Sequence, residues 1–510
     1  MARGQYTRNT SLPTAGPQNV PPVTGTSGLA PQNQSPPDQT PHALARQERY
    51  ATFRAFYDGD QWLEEPKPGN QRVTINYCAV LVDKMASYLF GKPVSFDAHP
   101  RHSQGDQADR AAGRQVEEYL QEVAEDNDLA GLDLDNEIST AMLGDGAYTC
   151  RWDPAANMPR ITAVDPSGLE ARWRSNDPRS LLWVRQSYYM AVGELTAGQR
   201  ARWNAAGQPG PQDPYAPLVA QEDWTATGWQ LTFHGVHVDG GPNPYDVVPY
   251  AVYPNLRKPG ETWGISDLDH ILELQTNLNE SLSVFRQILL IAGNPVVVIE
   301  GADEEDTSTL RLGPNQLWTL PKDAKAYVLE LLKSGAVTAH LEYTDKLYRA
   351  LHDIAEMPRT SFGDTQGQAA TSGVALEIEL QPLLHKLIRK RTIRASALRQ
   401  RAHLTLAIAR LHGHDLPDVS LTTIWPAVLP QDRTAVVDQE TALVAAGIHP
   451  PTKAMTILED LDPEETFKQV VEQSKALAES RRTPQPLLTA PGPTRANTKT
   501  APRGKQGASM

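Results

Sequence analysis

At 510 residues the chain is long enough for several hydrophobic cores, and 40% apolar with 21% charged residues is the balance of a multi-domain globular protein. That composition excludes collagen-like and coiled-coil classes. The formal charge of −13 argues against a tight, passive binder of nucleic acid, which needs net positive surface to displace counterions from phosphate.

Two cysteines, Cys78 and Cys150, leave no disulfide framework and predict buried thiols in a reducing compartment. The first forty residues lack the continuous apolar run of a secretory leader. The most apolar window, 288–299, is broken by Gly293-Asn294-Pro295 and falls short of the ~20 residues of a membrane span, so a soluble protein is expected. Residues 1–42 hold eight prolines among small polar residues and predict a disordered tail. The 481–510 stretch, with five prolines, six Lys/Arg and no acid, predicts a solvated basic one.

Between the tails the spacing predicts helices over 43–57, 76–90, 110–126 and 132–143, the second closed by Gly91 and Pro93. Gly144-Asp145-Gly146 turns into a strand at 147–152, and Trp- and Tyr-bearing runs alternate with Pro/Gly turns to about Val252. Stretch 207–217 reads as an exposed loop inside this β-rich segment. Ser266 and Asp269 stand at capping-box spacing, and Ile271, Leu274, Leu278, Leu282, Phe285 and Leu289 form one apolar stripe of a helix over 266–292. Strands are expected at 295–299, 316–320 and 326–329, with the acidic run 303–306 as a solvated turn, before a second amphipathic helix over 336–356.

A polar loop over 358–370 follows, then Ser372-Gly373 and a helix reaching His412. Pro382 predicts a kink in it near Ile378. From Gly373 to Arg410 this helix carries eight Lys/Arg against two Glu. A strand at 421–425 and two or three short helices over 432–479 complete the folded region, for an α+β, mainly helical class.

The sequence holds no phosphate-binding G-x-x-x-x-G-K-[ST] loop, no G-x-S-x-G, no H-E-x-x-H and no CxxC. His234 and His237 would fall on opposite faces of a strand, and His412 and His414 sit at a helix end, where a histidine complements the dipole. Neither pair suggests a third metal ligand. No catalytic or metal residue and no cofactor is assigned, and the chain is not read as an enzyme.

Four places in order resemble the portal proteins of tailed bacteriophages, closest to the siphophage type. They are Asn76-Tyr77 with Val82-Asp83 and Tyr88-Leu89-Phe90-Gly91-Lys92-Pro93-Val94, then Gly144-Asp145-Gly146-Ala147-Tyr148. Next come Val248-Pro249-Tyr250 with Gly264-Ile265-Ser266-Asp267-Leu268, Asn279 and Asn294-Pro295. Last is Ser372-Gly373-Val374-Ala375-Leu376 with Pro382-Leu383 and Lys386. Each is loose alone; the order and spacing across 43–425 carry the likeness.

The resemblance implies a wing (43–265, with a return strand at 414–429), stem helices at 266–292 and 336–357, a clip (293–335), a tunnel loop (358–372), a long kinked tunnel helix (373–413) and a helical crown (430–480). It implies a ring of twelve copies at one capsid vertex of the virion, assembled in the host cytoplasm. Double-stranded DNA would be packaged and ejected through it without sequence specificity. The partners implied are the terminase large subunit, major capsid and scaffolding proteins, and head-tail connector proteins, with no membrane. The missing nucleotide loop fits a motor housed in a separate protein.

Thr360, Ser361, Phe362, Asp364, Thr365, Gln366 and Gln368 are then expected to face DNA. Gly363, Gly367 and Gly373 would supply hinges and Pro382 the kink. An acidic balance suits a conduit, because a basic lining would hold phosphates and resist sliding. The basic residues after Leu384 are accordingly expected to pair with acidic neighbours as ring contacts rather than with DNA. The alternatives are a head-completion or minor capsid protein that assembles without conducting DNA, and an α+β enzyme with a helical extension.

Overall fold

The computed structural model describes residues 41–62, 72–101, 107–207, 213–293, 296–301, 324–329, 334–363, 373–428, 433–458 and 463–482. They form two compact units that divide after Pro426. The fold is α+β, about half helical, with small sheets. Nearly all of both tails, the acidic run 303–306 and the expected strand at 316–320 lie outside the described residues.

The first unit opens with α1 (Pro41–Asp58) and α2 (Tyr77–Phe90). Asn76 caps α2 by accepting from the Ala79 amide, and Gly91 closes its other end, so both bounds come from local chemistry. β1 (Ser95–Pro100) pairs antiparallel with the last strand of the unit, at Val419–Ile424. α3 (Gln107–Asp126) and α4 (Leu129–Leu143) follow.

The turn after α4 requires its glycines for two different reasons. Gly144 has φ +100°, a left-handed cap that a side chain would strain. At Gly146 a Cβ would lie 2.2 Å from Thr140 Oγ1, so the close approach of strand to helix excludes one. The chain then enters β2 (Asp145–Asp153), which lies between β3 (Met158–Val164) and the later strand Tyr250–Pro254 in a three-stranded sheet.

A five-stranded antiparallel sheet, in sequence order, contains β4 (Leu169–Arg174), β5 (Asp177–Ala191), β6 (Pro217–Thr225), β7 (Gly228–Phe233) and β8 (Val236–Pro242). A helix the residue pattern had not suggested, α5 (Ala197–Ala205), seats Trp203 against Phe233 with ring centroids 5.5 Å apart. His234, expected on a strand, instead begins the β7–β8 hairpin turn. It has φ +45°, followed by Gly235 at +81°, the two positive angles a tight hairpin needs. β9 (Tyr250–Pro254) completes the smaller sheet, and β10 (Leu256–Arg257) pairs with β11 (Gly264–Ile265).

The first of two packed helices, α6 (Leu272–Gly293), begins six residues later than the capping-box spacing at Ser266 suggested. Ser266 does not cap it; its hydroxyl donates to Met142 O at 2.5 Å and accepts from the Leu268 amide, holding residues 267–271 in turns. β12 (Val296–Glu300) pairs antiparallel with β13 (Lys325–Leu329), and α7 (Ser334–Ile354) returns alongside α6. Ser281 bridges to Thr344 at 2.8 Å and Phe285 stacks on His340, so polar and aromatic contacts join the pair.

The segment expected as one kinked helix is divided into α8 (Gly373–Glu379) and α9 (Gln381–Leu411). The break is at Leu380 rather than near Ile378. Pro382 lies in the first turn of α9, where its missing amide proton costs no helical bond. α9 lies across β2 and β9 and beside α2, and β14 (Val419–Ile424) closes on β1. Trp425, expected in that strand, lies just past it and packs on Phe90.

Both cysteines are buried free thiols; burial pushes Cys78 up to about 12 and Cys150 to about 11. The second unit holds α10 (Arg433–Ala445), α11 (Pro451–Ile457) and α12 (Pro463–Arg482). Among the described residues no helix is long and apolar enough to cross a membrane.

Candidate functional site

The inner face of α9 is where the fold concentrates charge. Leu383, Leu387, Ile393, Ala397, Leu398, Ala402 and Leu406 bury one stripe of the helix. Lys386, Lys390, Arg394 and Arg401 are buried on that same stripe, Lys390 at 0% and Arg394 at 1% exposure. Taking an unpaired cation out of water costs several kcal/mol, so such a stripe folds only if each cation meets a specific partner.

The partners come from three other elements. Arg394 uses all five N–H donors. Nε and Nη2 grip Glu137 at 2.6 and 2.9 Å, and the rest reach Pro254 O, Asn255 O and Asn255 Oδ1. Glu137 stands on α4 and is itself fully buried. Seven residues on, Arg401 forks onto Asp133, one helical turn earlier on α4, and the Tyr148 hydroxyl donates to the same carboxylate at 2.9 Å.

Toward the start of α9, Lys390 bridges Glu137 at 3.2 Å and Asp267 at 2.7 Å. Asp267 belongs to the turns that lead into α6. Burial alone would push its carboxyl up, but the ammoniums of Lys386 and Lys390 more than reverse this and hold it well below the usual carboxylate range. Lys386 lies 3.4 Å from Asp267 and donates to Ala355 O, just past the end of α7, at 3.0 Å. One helix face therefore ties α4, the approach to α6 and the exit of α7 together. Beside it, buried Asp145 accepts from the Tyr50 hydroxyl at 2.6 Å and the Gly264 amide at 2.7 Å, and burial pushes its carboxyl up.

Of the basic residues after Leu384, which were expected to pair with acids as ring contacts, Lys386, Lys390, Arg394 and Arg401 pair with acids inside the chain, while Arg391 and Arg410 donate to backbone carbonyls. Four of them are interior groups of their own chain. Their spacing carried the signal: 386, 390, 394 and 401 keep step with the apolar positions 383, 387, 397 and 398, so an outward basic face was never compatible with an inward apolar one. The acids Asp133, Glu137 and Asp267 had no comparable mark.

Of the residues expected to face DNA, Thr360, Ser361 and Phe362 lie in a short 3-10 turn, Arg359–Phe362, that ends at Gly363 with φ +85°. Thr360 is half-buried. Ser361 is 7% exposed and donates to Pro358 O at 2.6 Å, while Phe362 packs edge-on against His352 of α7. In this fold the Ser361 hydroxyl proton is committed to closing its own turn. Asp364, Thr365, Gln366, Gly367 and Gln368 lie outside the described residues. Gly373 is the first residue of α8, and Pro382 is in the first turn of α9.

Elsewhere, a polar cleft of about 200 Å³ opens between the two larger sheets, lined in part by Arg151, Arg160, Tyr188 and Glu222. Arg151 forks onto Glu222 at 2.5 and 3.2 Å, which leaves no poised acid–base pair there. Among the described residues no group of His, Cys, Asp and Glu is arranged to hold a metal ion.

Comparison with known families gives a match over residues 221–482 to phage portal proteins of the SPP1 Gp6-like type, a little over half of the chain. The match covers both packed helices, the polar segment and the whole of α8 and α9. The motifs at 76–94 and 144–148 lie before it. No curated protein matches the chain.

Proposed function

The chain belongs to the SPP1 Gp6-like family of phage portal proteins, and from that membership we propose that its copies close into a ring at one capsid vertex through which genomic DNA is packaged and later ejected. The observation that carries this reading is the family match across α6, α7 and the α8–α9 pair. In it, α6 and α7 are the stem and β12–β13 part of the clip. The 358–372 segment is the tunnel loop, α8 and α9 the tunnel helix, and the second unit the crown. Twelve copies make the ring, and double-stranded DNA passes without sequence readout.

The chemistry supports passage rather than capture. A net charge of −13 disfavours counterion-releasing adhesion of DNA. The main basic stripe of α9 is spent on internal pairs and is withdrawn from phosphate. With the Ser361 hydroxyl proton committed to its own turn, the DNA-facing role falls to Thr360 and Phe362 at the root and to Asp364, Thr365, Gln366 and Gln368 beyond it. The terminase large subunit docks on the ring during packaging and connector proteins replace it afterwards, while capsid and scaffolding proteins surround it.

Negative-stain imaging of the purified protein tests the reading: rings with an open axial channel are expected. A compact monomer or small dimer without a hole would overturn it and favour a non-conducting head-completion protein. Deleting 364–368 should leave rings intact and lower the DNA packaged per head; normal packaging by that variant would sink the loop assignment.

A further inference from the structure

Two cations one turn apart on α9 grip two consecutive residues at the exit of α7. Lys386, from the buried side, donates to Ala355 O at 3.0 Å. Arg389, from the exposed side, sets its Nη2 against both carboxylate oxygens of Glu356 at 2.5 and 2.6 Å. Glu356 has φ +56°, and the chain reverses there before the 358–372 segment begins. The grip therefore joins two described stretches about thirty positions apart in the chain, at 355 and 386.

Lys386 is an expensive way to fill its site. Its ammonium is nine-tenths buried or more, and it shares the single carboxylate of Asp267 with a second ammonium, Lys390. Glu356 is the other acid whose charge reaches it. Asp267 would keep Lys390 at 2.7 Å and Asn255 Nδ2 at 3.1 Å if the Lys386 charge were removed. Besides its attraction to Asp267, Lys386 supplies a directional bond to the carbonyl that ends α7, where a cation also complements the helix dipole. A methyl-terminated side chain of equal length would pack there without the like-charge contact, losing the bond to Ala355 O while Lys390 still faces Asp267.

We infer that Lys386 and Arg389 form a clasp that pins the exit of α7, residues 355–363, to α9. They are positioning residues, and the consequence for DNA rests on the portal reading above. The clasp itself is a claim about residues 355–363 and 386–389 alone. It predicts an unusual separation: loosening the root without loosening the fold.

Hydrogen exchange on the full-length protein tests it. In Lys386→Met the amides of 355–363 should exchange about tenfold faster or more, while those of α4 and β2 stay as in the wild type and the thermal midpoint moves by a few degrees at most, roughly. The exposed pair is weaker, so Arg389→Glu and Glu356→Arg should each speed the same amides by about two- to threefold, and the charge-swapped double variant should restore them. Unchanged exchange at 355–363, or acceleration spread equally through α4 and β2, would overturn the clasp. Packaging by heads carrying Lys386→Met should fall; full packaging despite a loosened root would overturn its positioning role. Failure of the wild-type protein to form rings would instead count against the portal reading, with the exchange result still deciding the clasp.

Discussion

The five-stranded sheet with α5 and the seam along α9 are both well buried, and they are held by opposite means. Leu195, Trp203, Ala220, Leu231, Phe233 and Val238 close the sheet module as an apolar cluster. Its strands follow one another in sequence order, so near neighbours find each other through alternation and turns. The seam joins groups that are remote in the chain: 133 and 137 on α4, 267 before α6, 355 after α7, and four positions on α9. Apolar packing accepts any partner of the right volume, whereas a buried ion pair accepts only its counterpart. The comparison teaches that this chain uses tolerant contacts where topology is local and exclusive ones where distant elements must meet in one arrangement.

The largest effect should come from halving a seam pair. Arg401→Ala leaves Asp133 buried and short of its cation, and should lower unfolding free energy by about 3–5 kcal/mol in urea denaturation. Replacing both partners, Asp133→Leu with Arg401→Met, should recover most of that loss, because the desolvation cost disappears with the pair. A double variant as unstable as the single one would show that the seam is not exclusive in the sense argued. In the sheet module, Phe233→Leu should cost less than about 1.5 kcal/mol, since volume is nearly conserved; a loss equal to that of Arg401→Ala would erase the contrast between the regions.

The smallest effect near neutrality is electrostatic. Asp267 has a folded-state pKa below its unfolded value, so it contributes stability that is fully present above about pH 3.9 and is lost as pH falls through the folded value. Its contribution should therefore be flat from about pH 5 to 8 and decline only in acid. Thermal melts of wild type and Asp267→Asn across that range check it. A difference between the two that changes within the neutral window would assign the dependence to another group.

Local chemistry was legible wherever a bound is set by residues within a turn of it. Asn76 and Gly91 at the ends of α2, the two glycines after α4, and Pro382 near the break before α9 all announced themselves. The candidate site was half legible. The cations on α9 were countable, and their phase with Leu383, Leu387, Ala397 and Leu398 was there to be read. The burial of Glu137 and Asp267 was not, because a carboxylate looks the same in a sequence whether water or a guanidinium surrounds it. Ser361 is a similar case: a serine in a polar run gives no sign that it will be buried.

By itself, then, the order of residues determined the α+β class, the paired amphipathic helices with a strand-bearing insert, and the family likeness, since these rest on periodicity and turn chemistry within short windows. Only the tertiary structure decided which charges are interior and whom they hold. Pairing across more than a hundred residues depends on where the chain brings elements together, and desolvation makes that choice energetically decisive only once they meet.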